Sequence, residues 1–129
     1  MNMPAISIVF ACIAAAVHVL FFLMESIFFM SPKVYKGFGI RNPEEASILK
    51  VSMYNQGFYN LFLAFGIFEG VYLLHGEYSD AGRALILFCC ACMFFASLVL
   101  MVSKKGMLRG VLIQGLCPLM AITTYYFCR

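Results

Sequence analysis

The chain places three carboxamide side chains and a tyrosine within one six-residue stretch, Asn55-Gln56-Gly57-Phe58-Tyr59-Asn60. The residues on both sides of this stretch are mostly apolar, over a length that predicts a membrane-spanning helix, since a span needs about 20 such residues. Polar side chains inside a span are rare and usually face other helices or a ligand. The stretch therefore indicates an all-α membrane protein and marks the centre of a candidate site.

The composition of the chain supports this class. Of its 129 residues, 64% are hydrophobic and 12% are charged, and the mean hydropathy is +0.93. A soluble domain is nearer half apolar and a quarter charged, so the lipid bilayer is the expected partner. The net charge of +3 is small and is carried mainly by predicted loops, which fits membrane topology better than nucleic-acid binding.

The six cysteines do not form a recognisable metal or disulfide pattern. Most of them lie in apolar runs, where cysteine behaves as a small hydrophobic residue. The spacing contains neither a CxxC motif nor a Cys/His set typical of zinc sites. The sequence therefore predicts no metal and no cofactor.

Four segments are long and apolar enough to be predicted as spans, at about 4–30, 43–74, 82–103 and 107–127. We expect them to form one transmembrane domain, an antiparallel bundle of four helices. Asn42 is the expected N-cap of the second helix, followed by Pro43 at its first position and by Glu45, which completes a capping box. Such a helix begins in water and then enters the membrane.

The basic residues predict the orientation of the chain. Loops 31–48 and 104–107 lie on the same side and hold most of the lysines and arginines. The positive-inside rule therefore places both loops in the cytoplasm and both termini outside.

This orientation brings the polar side chains of the spans into the cytoplasmic half of the membrane. At 1.5 Å per residue, Glu25 lies roughly 7 Å and His18 roughly 18 Å from the cytoplasmic end of the first span. The candidate ligand- or proton-binding residues are His18, Glu25, Asn55, Gln56, Tyr59, Asn60 and Gln114. On the second span a helical stripe carries Ser52, Gln56, Tyr59, Leu63, Gly66 and Gly70, flanked by Asn55 and Asn60.

Each candidate also has a structural interpretation. A charged carboxylate in hydrocarbon is costly, so Glu25 should be neutralised or paired, or it reaches the headgroups near the interface. His18 could exchange protons with Glu25, bind a ligand, or bond a helix carbonyl as a neutral imidazole. The carboxamides could instead be interhelical hydrogen bonds worth about 0.6–2 kcal/mol each.

Three blocks of the sequence resemble a known family of small bacterial four-span proteins, domain-of-unknown-function family 1304. They are His18 with Glu25, the run Asn55-Gln56-Gly57-Phe58-Tyr59-Asn60-Leu61-Phe62-Leu63-Ala64-Phe65-Gly66, and Ile113-Gln114-Gly115-Leu116-Cys117-Pro118. The resemblance covers nearly the whole chain and implies four spans in a bacterial inner membrane, with no established activity. The sequence departs from the family at Val17, where an acidic residue is usual, and at 96–99, where the third span usually ends in glycines.

A second, architectural resemblance is to the membrane-associated eicosanoid and glutathione enzymes. It rests on Asn55, Tyr59 and the run Phe62-Leu63-Ala64. That superfamily implies trimers with sites between subunits in the cytoplasmic leaflet. The arginines that hold glutathione in it are missing from the spans of this chain.

The leading functional hypothesis is binding or translocation of a small polar or cationic molecule, or of protons, through a pocket in the cytoplasmic half. The first alternative is a membrane enzyme acting on a lipophilic substrate, with His18 or Glu25 as general acid or base and Tyr59 positioning an oxygen. The second is a structural or accessory membrane subunit. A homo-oligomer is expected, because four short helices barely enclose a site.

Overall fold

The computed structural model describes residues 2–128, and every regular element in that range is helical, which confirms the all-α class. The elements in chain order are α1 (Ala5–Phe22), a π-helical turn (Leu23–Ile27), α2 (Pro32–Gly37), α3 (Pro43–Leu73), α4 (Ser79–Ser103) and α5 (Leu108–Phe127).

Three helical segments in residues 2–128 are long and apolar enough to cross a membrane. They are Ala5–Ile27 with 23 residues, Ser79–Ser103 with 25 and Leu108–Phe127 with 20. Helix α3 is longer, at 31 residues, but its carboxamides and Glu69 make it less apolar than the other three. The protein is therefore a helical membrane protein with three candidate spans, and a fourth span at α3 stays a prediction.

The described residues divide into two compact units. Residues 2–17 and 63–128 form one, which we call the helical unit, and residues 18–62 form the other, which we call the connector unit. The boundary falls inside α1 and inside α3, so each of these helices contributes to both units.

Small residues bring the helices of the helical unit into close contact. A Cβ atom on Gly82 of α4 would lie 2.6 Å from the Gly70 carbonyl oxygen of α3, so two backbones meet there. A Cβ on Gly115 of α5 would overlap the Ser97 hydroxyl of α4. Helix packing through small residues is typical of membrane proteins, where close van der Waals contact replaces the hydrophobic effect.

Helix α2 lies in the segment expected to be a loop, and the sequence analysis missed it. It ends in a Schellman motif, in which Gly39 takes φ 77° and the Ile40 amide donates to the Tyr35 carbonyl at 3.1 Å. Ile40 and Tyr35 are both buried and pack with Phe29 and Ala46. The connector unit therefore has a small core of its own.

The predicted cap of α3 is confirmed. The Glu45 amide donates to the Asn42 side-chain oxygen at 2.8 Å. The Glu45 carboxylate in turn accepts from the Arg41 amide at 3.2 Å, one residue before the position expected in an ideal capping box. The charged side chains of Arg41 and Glu45 at the start of α3 are exposed, at 87% and 38%.

Candidate functional site

Glu25 lies in the π-helical turn that continues α1. The Phe28 amide donates to the Leu23 carbonyl at 2.8 Å, which is the i→i+5 bond that defines such a turn. Single π-helical turns inside α-helices occur frequently at functional sites. Glu25 is 8% exposed and belongs to the candidate span Ala5–Ile27.

Asn60 on α3 is the partner of this carboxyl group. Its Nδ2 donates to Glu25 Oε2 at 2.7 Å, and Asn60 itself is 5% exposed. Among residues 2–128 no other side chain bonds to Glu25 and none forms an ion pair with it. The structure thus joins two of the predicted site residues by one buried hydrogen bond, without a basic group.

Ser26 and Gly57 hold α3 against the π-helical turn. The Ser26 hydroxyl donates to the Tyr54 carbonyl at 2.8 Å. Gly57 faces the same serine, and a Cβ atom there would overlap the Ser26 hydroxyl and lie 3.2 Å from Glu25 Cβ. The sequence analysis did not select Ser26 or Gly57. The glycine inside the carboxamide stretch was the available signal, because a glycine within a span often permits close approach.

His18 lies on α1, seven residues before Glu25, and is fully buried, at 0% exposure. Its ring meets the edge of Phe21 with a centroid distance of 5.4 Å. The burial agrees with an inward-facing histidine. The predicted exchange of protons between His18 and Glu25 stays a prediction.

The remaining predicted site residues lie elsewhere. Asn55, Gln56 and Tyr59 are exposed on the surface of the chain, with Tyr59 at 64%. Gln114 is partly buried on α5 in the helical unit. The structure therefore brings together Glu25 and Asn60, with Ser26 and Gly57 beside them, and turns three of the polar residues outward.

Within residues 2–128, no group of three or more His, Cys, Asp and Glu side chains is arranged to hold a metal ion. The six cysteines are all free thiols. What the site offers is one carboxyl group and one carboxamide, which suits a proton or a small hydrogen-bonding or cationic ligand.

A family model described as "Protein of unknown function (DUF1304)" matches residues 12–126. The chain belongs to this family. The match contains the π-helical turn and all of α3, so Glu25 and Asn60 are both part of the family region of this DUF1304 chain. No curated protein and no solved structure matches the chain. The likeness to the eicosanoid and glutathione enzymes stays a prediction.

Proposed function

We propose that this DUF1304 protein binds and exchanges a proton or a small cation at Glu25 within the membrane. The observation that carries the proposal is the buried Glu25 carboxyl group whose only side-chain partner in residues 2–128 is the neutral amide of Asn60. The predicted pocket around His18, Asn55, Gln56, Tyr59 and Gln114 is not needed for this activity.

Charge compensation favours a positively charged ligand. An ionised carboxylate removed from water is stable only when it is paired or coordinates a cation, and otherwise it takes up a proton. A neutral amide supplies a hydrogen bond but no charge. The positive charge that balances the Glu25 carboxylate must therefore come from outside the connector unit, as a proton or as a small cation.

The geometry leaves one carboxyl oxygen for this ligand. Asn60 bonds to Oε2, and Oε1 accepts no hydrogen bond from residues 2–128. Glu25 as a whole residue keeps 8% exposure, so residues 2–128 do not enclose it completely. Asn60 orients the carboxyl group, and the hydrogen bond between Ser26 and Tyr54 holds the π-helical turn close to α3.

The membrane arrangement that goes with this proposal uses α3 as a fourth span in one transmembrane domain. Loops 31–48 and 104–107 then face the cytoplasm of a bacterial inner membrane, with both termini outside. Exposed lysines in these loops support the orientation, because the positive-inside rule retains them on the cytoplasmic side. Glu25 then exchanges its ligand near the cytoplasmic surface.

Flux measurements in proteoliposomes test the proposal. The purified chain is reconstituted around a pH-sensitive dye, and a potassium diffusion potential set with valinomycin drives protons inward. We expect proton flux above that of empty liposomes, and its loss in Glu25→Gln, which keeps the shape of the side chain but cannot ionise. Glu69→Gln is the matched control, because Glu69 is an exposed glutamate on α3.

A second assay covers the small cation. Uptake of radioactive sodium and of methylammonium is measured in the same liposomes, with the same two variants. Flux of one of these three ions that depends on Glu25 and not on Glu69 supports the proposal. If none of the three ions crosses faster than in empty liposomes, or if Glu25→Gln transports as well as the unmodified chain, the proposal is wrong.

A further inference from the structure

A polar face of α3 is left exposed by residues 2–128. It consists of Ser52, Asn55, Gln56 and Tyr59, whose spacing places them on one side of the helix. All four residues are exposed, whereas the next residue, Asn60, is 5% exposed and bonds to Glu25. We call these four residues the α3 polar face.

Exposed apolar residues lie on both sides of this face along the helix. Ile48 and Val51 precede the carboxamides and are 81% and 72% exposed, and Phe62 and Phe65 follow them at 58% and 56%. Such residues are stable in contact with lipid, while the exposed Lys50 lies between Ile48 and Val51, so the carboxamides lie where α3 changes from charged to apolar surface. In hydrocarbon an unpaired amide is strongly disfavoured, and a partner must satisfy it.

The depth of the α3 polar face in the membrane follows from the contact between the π-helical turn and α3. The Ser26 hydroxyl bonds to the Tyr54 carbonyl, one residue before Asn55. Ser26 belongs to the candidate span Ala5–Ile27, and the chain continues beyond that span with exposed Phe28 and Met30. The carboxamides thus lie at the level of a membrane span and not in the aqueous loop.

We propose that the α3 polar face binds the same face of a second copy of this chain. A carboxamide carries both a donor and an acceptor, so two identical carboxamides satisfy each other. Two copies have the same orientation in the membrane, and a twofold axis along the membrane normal sets each residue opposite itself at equal depth. A different partner would need matching polar groups at that depth, which an identical copy supplies automatically.

This proposal rests on the placement of α3 in the membrane given under the proposed function, but not on ion exchange at Glu25, because the four residues of the face make no described bond to that carboxyl group. Its first test is photochemical crosslinking of the purified chain in lipid nanodiscs or vesicles. Tyr59→p-benzoylphenylalanine places the crosslinker in the face. Phe95→p-benzoylphenylalanine is the matched control, since Phe95 on α4 is also aromatic and is exposed to a similar degree, 62% against 64%.

We expect a product of dimer mass from position 59 and none above background from position 95. The second test measures dimerisation by single-molecule photobleaching in vesicles at increasing dilution. Replacing both carboxamides, Asn55→Leu with Gln56→Leu, should weaken dimerisation about tenfold, the effect of losing interhelical hydrogen bonds worth near 1.4 kcal/mol in total. Val51→Leu with Phe65→Leu changes exposed apolar residues on another side of the same helix and should leave dimerisation unchanged.

Three results would overturn the proposal. They are a monomer at every density, equal crosslinking from positions 59 and 95, and unchanged dimerisation of the double carboxamide variant. A crosslinked trimer from position 59 would exclude the twofold arrangement. Because the crosslinking test leaves every buried residue intact, it does not depend on whether the leucine variants fold.

Discussion

Helix α3 belongs to both units, and it packs by a different mechanism in each. In the helical unit, Gly70 and Gly82 bring two backbones together with no side chain between them. In the connector unit, contact is made through polar groups, the bond from Asn60 to Glu25 and the bond from Ser26 to the backbone of α3. The first mechanism tolerates no added atom, whereas the second tolerates replacement when both partners change together. Three experiments measure this difference.

The largest effect on the free energy of unfolding is expected from Gly82→Ala. The new Cβ would lie 2.6 Å from the Gly70 carbonyl oxygen and 3.0 Å from Leu73 Cβ, and neither atom can move without displacing α3. We expect the free energy of unfolding to fall by about 3 kcal/mol, the upper part of the usual range for overpacking. The measurement is unfolding in mixed micelles with increasing dodecyl sulfate.

Gly76→Ala is the control for this variant. A Cβ on Gly76 would meet nothing within 4 Å, and its φ angle is not in the left-handed region. Its free energy of unfolding should stay within about 0.5 kcal/mol of the unmodified chain. Equal stability of the two alanine variants would mean that the contact between α3 and α4 is not as close as described.

An intermediate effect is expected when the polar pair is broken. Asn60→Leu removes the one donor of a buried carboxyl group, which destabilises the protein by about 2 kcal/mol. Glu25→Leu in the Asn60→Leu background should recover much of that loss, because no polar group is then left unsatisfied. A double-mutant cycle in the same unfolding assay measures the coupling. Additive losses would show that the two side chains do not stabilise each other.

The smallest effect is expected from the contact between Ser26 and Gly57. Gly57→Ala would bring a Cβ into the Ser26 hydroxyl, so it should lower the free energy of unfolding. Adding Ser26→Ala should reduce that loss by about 1 kcal/mol, the usual scale of one hydrogen bond. The readout is again the free energy of unfolding.

Gly37→Ala serves as the control in the connector unit, because a Cβ there meets nothing within 4 Å. It should show no coupling with Ser26→Ala. If Gly57→Ala is equally destabilising with and without the serine hydroxyl, then other atoms determine how closely α3 approaches the π-helical turn.

Local features of the fold were predictable from sequence, because neighbouring residues determine them. The cap at Asn42 needs only the spacing to Glu45, and it occurs as predicted. The membrane class follows from composition, and three of the helices satisfy it by length and apolarity. Helix α2 was missed although local signals mark its ends, Pro32 at its first position and Gly39 just after its last turn. It has only six residues, too few for an apolar periodicity to reveal it.

The orientation of α3 was the harder problem. The sequence analysis grouped Gln56, Tyr59 and Gly66 as one stripe, on the reasoning that polar residues in a span face inward. In the structure the buried residues of this helix include Gly57, Asn60, Ala64 and Ile67. Each follows a residue of the predicted stripe by one position, which corresponds to a rotation of about 100° around the helix. Gly70 of the predicted stripe is also buried, against Gly82 and Ile86 of α4, whereas Gln56 and Tyr59 are exposed and Asn60 is the buried polar residue. Periodicity alone could not choose between two adjacent stripes.

The π-helical turn makes the direction of Glu25 depend on the number of residues before it as well as on their identity. A helix that gains one residue rotates everything after it by about 100° unless a wider turn absorbs the addition. The turn at Leu23–Ile27 is such a wider turn, and Glu25 within it bonds to Asn60 of α3. In a protein this small, the length of one turn therefore decides whether an acidic side chain faces a neighbouring helix.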